Sequence, residues 1–277
     1  MGPGLTRTLR LLGLLETGRR IELARRMREP RALPDAVILG AQKSGTSSLH
    51  YYLVQHPQVI APLRKEVHYF DVGYRHSEAW YRAHFGRRGE PGLNLDSSPY
   101  YLFHPAVPAR LHSLLPEARF IVLLRDPVRR AYSHYWHERD KDRETLDFEA
   151  AIAAEPARLG DAEAALANGR IGRSAAHQHF SYLARGRYAE QLERWFARFP
   201  REQFLVLRFE DLAREPLVVL NRTLGFLGLP AAQSVRSDAR NTRRYAPMGE
   251  DTAGRLREYF APYNQRLEAL LGQPMGW

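Results

Sequence analysis

The sequence has 277 residues, of which 44% are hydrophobic, and 41 basic against 31 acidic residues give it a formal net charge of +10. It contains no cysteine, which excludes structural disulfides, thiolate metal sites and cysteine nucleophiles. No run approaches the roughly 18–20 apolar residues that a membrane span needs. This length and apolar content are typical of one large α/β domain with a sizeable core.

The N-terminal residues 1–33 are predicted to form a basic helical arm, followed by a single domain over 34–277. Residues 1–31 contain eight arginines and three glutamates, which is half of the net charge. Such an arm is either a solvated helix packed on the domain or a peripheral contact with an anionic membrane surface. Its apolar run Leu11–Leu15 is too short, and too closely flanked by arginine, for a cleaved signal peptide. We expect a cytoplasmic location, which the absence of cysteine also fits.

Apolar runs along the chain predict the strands of a sheet. Val37–Ala41, Phe120–Leu124 and Phe204–Phe209 are continuous apolar runs, and Leu93–Ser97 has a weaker pattern. Continuous runs are typical of parallel strands that helices cover on both faces. Helical patterns lie at about Ser47–Gln55, Ala79–Phe85, Val107–Leu115, Pro127–Arg139, Tyr188–Phe199, Val218–Leu227 and Thr252–Leu271. The alternation predicts a three-layer, P-loop-like α/β fold with a central, mostly parallel sheet flanked by helices.

The run Ala36–Leu49 predicts a buried strand, a tight turn rich in Gly, Ser and Thr, and the first turn of a helix. That arrangement directs backbone N–H groups and a helix N-terminus at one point, which suits a phosphate. Gly40 and Gly45 have the spacing of the nucleotide loop G-x-x-x-x-G-K-[ST]. However, Thr46 follows Gly45 directly, and Lys43 precedes it by two residues. The displaced lysine indicates a phosphate-bearing ligand other than ATP or GTP.

A second strand-to-helix turn follows the run Phe120–Leu124. Asp126 suits a helix N-cap, and Pro127 suits the first helical position. Arg125 ends the strand with its guanidinium available for a phosphate, and Ser133 could add a hydroxyl from two turns further along. Alternatively, Arg125 pairs with a nearby carboxylate and Ser133 is an ordinary surface residue. Because ligands of such sheets bind beyond the carboxyl ends of the strands, both turns are expected to meet in one crevice.

These motifs resemble those of sulfotransferases that use 3′-phosphoadenosine 5′-phosphosulfate (PAPS). Gln42–Thr46 matches the family's 5′-phosphosulfate loop, and Leu123–Ser133 matches its 3′-phosphate segment. Lys65–Asp71 resembles the glutamate-containing motif of the carbohydrate branch, which includes the heparan sulfate 3-O-sulfotransferases. The resemblance extends from about Val37 to Leu271, and the three motifs occur in the family order.

The resemblance implies that Glu66 is the general base and that Lys43 contacts the 5′-phosphate and the oxygen that bridges it to sulfur. The other donor-binding residues would be Ser44, Gly45, Thr46 and Ser47 around the 5′-phosphate, Arg125 and Ser133 at the 3′-phosphate, and Arg243 and Arg244 in a late basic loop. No metal is required in principle, because the leaving phosphate is already a good leaving group. Ser97 stands where many relatives carry a lysine, so a second ammonium is either missing or supplied from elsewhere.

Glu66 has competing interpretations. If Glu66–Phe70 is extended, Glu66 and His68 point to the same side, and His68 could be the base because its usual pKa is near neutrality. A purely structural alternative is a salt bridge from Glu66 to Lys65 or Arg64. The resemblance favours Glu66, with His68 and Asp71 as supporting or acceptor-contacting groups.

The acceptor is expected to be a hydroxyl or amine of a glycan, a glycolipid or a small molecule. Tyr100 and Tyr101 are candidates to contact it, because the preceding segment should flank the crevice. The segments Arg64–Arg88 and Lys141–Arg185 are expected to be the loops that select it. The competing functions are a P-loop kinase or NTPase, disfavoured by the displaced lysine, and a non-enzymatic polyanion binder. No nucleic-acid partner is expected, since the arginines are dispersed and no nucleic-acid module is recognised.

Overall fold

A five-stranded sheet lies at the centre of the computed structural model, which describes residues 16–236 and 246–277. Its strands are β1 (Ala36–Gly40), β2 (Val59–Ile60), β3 (Leu93–Ser97), β4 (Arg119–Leu124) and β5 (Phe204–Arg208). Their order is β2-β3-β1-β4-β5, and all four neighbouring pairs are parallel. The predicted α/β fold with a central sheet flanked by helices is confirmed.

Helices connect and cover the strands. They are α1 (Thr46–Leu53), α2 (Glu78–Arg82), α3 (Val107–Leu114), α4 (Pro127–Arg139), α5 (Phe148–Leu159), α6 (Ala162–Ala167), α7 (Ala175–His179), α8 (Tyr188–Phe196), α9 (Phe209–Arg214), α10 (Pro216–Leu227) and α11 (Glu250–Leu271). All seven predicted helices are present, with ends shifted by at most a few residues.

The prediction that Lys141–Arg185 is a loop is wrong, because α5, α6 and α7 lie within it. Alanine dominates α5 and α6, and it has the most favourable helix propensity. Asp147 also caps α5, since its side chain accepts a hydrogen bond from the backbone N–H of Ala150. The segment therefore carries ordinary helix signals.

The core is divided between the two faces of the sheet. On one face Val37 and Leu39 of β1 belong to a cluster with Trp195 of α8. On the other face Ile38 packs in a cluster with Leu49 of α1 and with α10. Every residue of β1 is buried, as expected for a strand covered on both sides. The three layers hold β1 and β4 at the centre, so the loops that follow these strands lie side by side.

Part of the predicted N-terminal arm is described. Residues 16–26 are helical, and the chain then joins the domain through a bridge between Arg31 and Arg87 and a hydrogen bond from Ala32 N to Gly86 O. The division at residue 33 stays a prediction. Among the described helices, none has the length and apolar character needed to cross a membrane.

Candidate active site

A cavity of about 500 Å³, the first cavity, opens where β1 and β4 end. The lysine loop (Gln42–Ser47) follows β1 and forms one wall, and the glutamate segment (Lys65–Asp71) contributes Glu66 and His68. Arg125 and Ser133 complete the wall from the β4 side. The structure thus brings both predicted phosphate segments and the predicted base into one site.

Gly45 fixes the shape of the lysine loop. It is the N-cap of α1 with a φ of +85°, and a Cβ there would lie 2.7 Å from Cδ2 of Phe209. Only glycine tolerates both conditions. No side chain caps α1, so its first backbone N–H groups are left for a ligand. Lys43 also has a left-handed backbone, with a φ of 71°, and lines the cavity.

The serines and the threonine of the lysine loop differ in whether they face the first cavity. Thr46 and Ser47 line the first cavity. Ser44 does not: its side chain is fully buried, and its backbone N–H donates to Ala41 O at 3.2 Å. The predicted place of Ser44 around the 5′-phosphate stays a prediction, and the buried side chain of Ser44 does not contribute to the cavity wall.

Arg125 joins the two phosphate segments. Its Nη1 donates to the backbone oxygen of Lys43 at 3.1 Å, and its guanidinium lies 4.7 Å from the ring centre of Phe209. No carboxylate of the described ranges lies within salt-bridge distance of it, so the alternative pairing is not found. Ser133 faces the same cavity from α4. Arg243 and Arg244 lie outside the described residues.

The glutamate segment forms a chain of charged side chains. Glu66 Oε2 lies 3.6 Å from His68 Nε2, and His68 Nδ1 lies 2.7 Å from Asp71 Oδ2. The backbone is not extended at these two residues, because Glu66 and His68 have φ values of 61° and 59°. The two side chains still meet, because two left-handed residues curl the segment.

The pKa values of Glu66 and His68 indicate which of the two side chains is suited to accept a proton. Burial alone would lower the pKa of His68, but hydrogen bonds with Asp71 and Glu66 outweigh it and raise the value to about 9. Burial would raise the pKa of Glu66, but His68 and Lys65 outweigh it and lower the value to about 2. The raised pKa of His68 favours its cationic form at neutral pH, which disfavours it as the base, and the lowered pKa of Glu66 favours an ionised carboxylate. The Glu66 side chain is 45% exposed, so an acceptor can reach it.

The sulfotransferase domain family matches residues 33–260. The chain belongs to this family. It is an enzyme that transfers a sulfuryl group. This assignment replaces the two alternatives, a P-loop kinase or NTPase and a non-enzymatic polyanion binder.

Three relatives show how this sulfotransferase compares with characterised proteins. Human heparan sulfate glucosamine 3-O-sulfotransferase 6 is 29% identical over 271 residues, covering 89% of this chain and 74% of the relative. The membrane-associated sulfotransferase kil1 of Dictyostelium discoideum is 28% identical, covering 88% of this chain and 66% of its own length. A sulfotransferase structure from Alicyclobacillus acidocaldarius is 32% identical with a TM-score of 0.73, covering 88% and 98%. The predicted resemblance to the heparan sulfate 3-O-sulfotransferase branch is confirmed.

An ammonium lies beside the predicted base, and Ser97 holds the position where the resemblance implies a lysine in many relatives. Lys65 Nζ lies 2.5 Å from Glu66 Oε1, whereas Arg64 reaches only the backbone oxygen of Glu66. Ser97 instead lies 2.7 Å from Nδ1 of His50. Burial, with the charge of Lys65, lowers the pKa of His50 to about 4, so that pair is neutral. The salt bridge from Glu66 to Lys65, which was the structural alternative for Glu66, is thus present. It places the Lys65 ammonium beside Glu66.

The predicted acceptor-contacting residues differ in position. Tyr100 lines the first cavity, and its hydroxyl lies 2.7 Å from His177 Nδ1. Tyr101 is fully buried and its hydroxyl accepts from the backbone N–H of Phe70, so it belongs to the core. Asp71 is also buried and supports His68 without reaching the cavity. The predicted direct contacts of Tyr101 and Asp71 with an acceptor are therefore not supported.

Several residues of the cavity wall were not predicted. His137 lies four residues after Ser133 on the same face of α4, a spacing that could have revealed it. Lys141 lies just beyond the end of α4. Arg143 binds the buried carboxylate of Glu138, with Nη1 3.1 Å from Oε2. The three lysines of the sequence, at positions 43, 65 and 141, all lie at or beside this cavity.

Backbone strain concentrates at the site. Four described residues other than glycine have φ in the left-handed region, and three of them are Lys43, Glu66 and His68. Each such residue costs on the order of 1–3 kcal/mol and persists where the surroundings fix it. The strained positions hold the proposed leaving-group cation, the proposed base and its partner.

Proposed function

We propose that this sulfotransferase moves a sulfuryl group from PAPS to a hydroxyl or amine of a glycan, a glycolipid or a small molecule. The observation that carries the proposal is that Lys43 and the ionised carboxylate of Glu66 line the same cavity. A cation for the leaving phosphate and a base for the acceptor are the two groups that this transfer requires.

The lysine loop and α4 supply the donor-binding groups. The uncapped N-terminus of α1, with Thr46 and Ser47, suits the 5′-phosphate. Arg125, held against the Phe209 ring, and Ser133 suit the 3′-phosphate. The basic groups Arg243 and Arg244 stay part of this prediction. When bound, PAPS supplies an activated sulfuryl group.

The chain's own residues then move one proton and stabilise one charge. Glu66 accepts the proton of the acceptor hydroxyl or amine as the acceptor atom bonds to sulfur. The bond from sulfur to the bridging phosphate oxygen breaks, and Lys43 stabilises the negative charge left on that oxygen. His68, fixed by Asp71, orients the carboxylate of Glu66. Lys65 supplies the ammonium that the family lysine gives in other members.

The relatives favour a glycan among the possible acceptors, since one is named for heparan sulfate glucosamine. A peripheral membrane contact is also proposed. Helical residues 16–26 and the turn after them expose Ile21 and Met27 beside Arg20 and Arg28, a composition that suits an anionic bilayer surface. Co-sedimentation with phosphatidylserine vesicles but not with phosphatidylcholine vesicles tests it. The cytoplasmic location stays a prediction.

The decisive experiment combines Glu66→Gln with radiolabelled PAPS and an extract of the host's glycans and lipids. The variant keeps the shape of the side chain but cannot take a proton. Transfer should fall by about 10²–10⁴-fold, which is what a positioned base contributes. Affinity for adenosine 3′,5′-bisphosphate should stay within about three-fold of the original, since an unchanged donor site alters binding by less than about 1 kcal/mol.

The exposed Glu202→Gln is the matched control and should transfer at the original rate. Original turnover in Glu66→Gln would refute the assignment of the base. Failure of the unaltered protein to bind adenosine 3′,5′-bisphosphate would refute PAPS as the donor.

A further inference from the structure

Arg185 is a buried cation in the wall of the first cavity, in the connection between α7 and α8. Its exposed fraction is 1%, and the described residues place no carboxylate within salt-bridge distance of its guanidinium. Charged side chains are almost never so buried unless they are paired. Burial lowers the pKa of Arg185 to about 10, because a charge removed from water is costly when no opposite charge compensates it. The wall therefore holds a positive charge that lacks a partner.

The guanidinium of Arg185 joins two separate parts of this wall. Its Nη2 donates to the backbone oxygens of His177 and Gln178 at the end of α7, both at 3.0 Å. Its Nη1 donates to Oε1 of Gln42 in the lysine loop. The planar fork of an arginine can make such bonds in two directions at once. The side chain of Gln42 is thereby tied to α7.

Aromatic rings and a close packing contact hold Arg185 in place. Its guanidinium lies 5.1 Å from the ring centre of Tyr100 and 4.9 Å from that of Phe103, which suits a cation. The next residue, Gly186, packs so closely on α11 that an added Cβ would lie 2.7 Å from Cε1 of Phe260. These contacts fix both the side chain and the backbone, as a residue that orients another requires.

The bond from Arg185 determines how the Gln42 amide is oriented. A guanidinium carries only hydrogen-bond donors, so the amide atom that faces it is the oxygen. The amide nitrogen, with its two N–H groups, is then turned away from Arg185. Gln42 is half-buried and lines the first cavity beside Lys43. Its N–H groups are therefore available to an anionic ligand of the lysine loop.

We propose that Arg185 is a positioning residue for sulfuryl transfer, which orients the Gln42 amide toward the donor and receives from the donor the negative charge that its buried guanidinium lacks. The inference rests on the proposed function, because PAPS carries the phosphate and sulfate groups concerned. Arg185 acts through Gln42, since its Nη atoms already bind Gln42 and α7. A hydrogen bond from Gln42 to a charged phosphate is stronger than one between neutral groups.

A double-mutant cycle on the affinity for adenosine 3′,5′-bisphosphate tests whether Arg185 acts through Gln42. Gln42→Met removes the amide and Arg185→Met removes the fork, and each should weaken binding by about tenfold or more, or about 1.4 kcal/mol. The double variant should bind within about three-fold of Arg185→Met alone, because both changes remove the same interaction. The exposed Arg198→Met is the matched control and should bind normally.

Arg185→Lys separates positioning from a general loss of structure. Because it keeps the charge and one donor group, it should bind the nucleotide more tightly than Arg185→Met, by about three-fold or more. It also takes the place of Arg185→Met in the cycle if the methionine variant does not fold. Losses that multiply in the double variant, or normal affinity after loss of the fork, would overturn the proposal.

Gln42→Glu tests the missing negative charge without any ligand. Its carboxylate would face Arg185 and compensate the guanidinium, so the thermal midpoint of the empty protein should rise by about 2 °C or more. The same carboxylate should weaken nucleotide binding by repelling the phosphates. Gln273→Glu, at an exposed position, is the matched control and should change neither quantity.

A thermal midpoint that is unchanged or lower in Gln42→Glu would contradict the uncompensated charge of Arg185 and with it the proposal. A protein that is stabilised by Gln42→Glu but whose unaltered form never binds adenosine 3′,5′-bisphosphate would instead contradict the proposed donor. The two failures are therefore distinguishable.

Discussion

The donor side and the acceptor side of the first cavity are built differently. On the donor side, the lysine loop joins β1 to α1, and the segment from Arg125 to Ser133 leads from the end of β4 into α4. On the acceptor side, Glu66 lies in an irregular segment whose backbone is fixed from a distance: its N–H donates to Ser97 O at 3.1 Å. The proposed anion site thus depends on local backbone geometry, whereas the position of the proposed base, Glu66, depends on tertiary contacts.

The two sides also differ in charge. On the proposed donor side, Lys43 and Arg125 line the cavity. On the acceptor side, Lys65, Glu66, His68 and Asp71 alternate in sign and lie within hydrogen-bond or ion-pair distance of one another. Loss of a donor-side cation should therefore weaken charge stabilisation directly, whereas changes on the acceptor side should act through shifted pKa values.

The largest effect on the donor side is expected from Lys43→Ala. Loss of a group that stabilises developing charge should lower kcat by about 10²–10³-fold. The fold should persist, because the side chain lines a cavity instead of the core. Turnover with radiolabelled PAPS and the thermal midpoint check this, with the exposed Arg198→Ala as control. Retained activity would mean that the lysine loop is not the phosphosulfate site.

Gly45→Ala tests whether the donor side depends on backbone geometry. The new Cβ would meet Phe209 at 2.7 Å with φ at +85°, and such overpacking costs about 1–3 kcal/mol. Chemical denaturation should show this loss, together with weaker binding of adenosine 3′,5′-bisphosphate.

Gly225→Ala in α10 is the matched control. That glycine is exposed, and no atom lies within 4 Å of an added Cβ, so the variant should be up to about 1 kcal/mol more stable through helix propensity. Equal stability changes in the two variants would contradict the argument for Gly45.

The smallest effect is a shift in pH dependence on the acceptor side. The raised pKa of His68, about 9, means that the imidazolium is present below that pH and is lost as the pH rises through it. Glu66, with a pKa of about 2, stays ionised through the acidic and neutral range. The transfer rate should therefore be flat through neutrality and fall above about pH 9, where the carboxylate loses its cationic partner.

Asp71→Asn should move that alkaline limb to lower pH, because it removes the negative charge that helps raise the pKa of His68. An NMR titration of His68 gives the same information without an acceptor. A titration midpoint that is unchanged in Asp71→Asn would break the proposed chain of charges.

Local signals explain which elements the sequence predicts well. The predicted bounds of β3 and α4 match the structure, and α4 begins where Asp126 caps it by accepting from Val128 N at 2.8 Å. By contrast β2, only Val59–Ile60, is too short for a pattern. The side chains of Glu66 and His68 meet although the backbone there is not extended. The left-handed conformations were not predictable, because residue type does not specify them at those positions.

The sequence by itself determined the central strands and most helices, because caps, glycines and apolar runs act over a few residues. It also predicted the residues that we propose for the donor side. It also indicated Glu66 and its partners through a motif. Only the tertiary structure decided that Tyr101 and Ser44 are buried, that Asp71 and Glu66 raise the pKa of His68, and that Arg143 and Arg185 reach the cavity. These features depend on contacts between residues far apart in the chain. Their burial and their shifted pKa values arise only when the layers pack together.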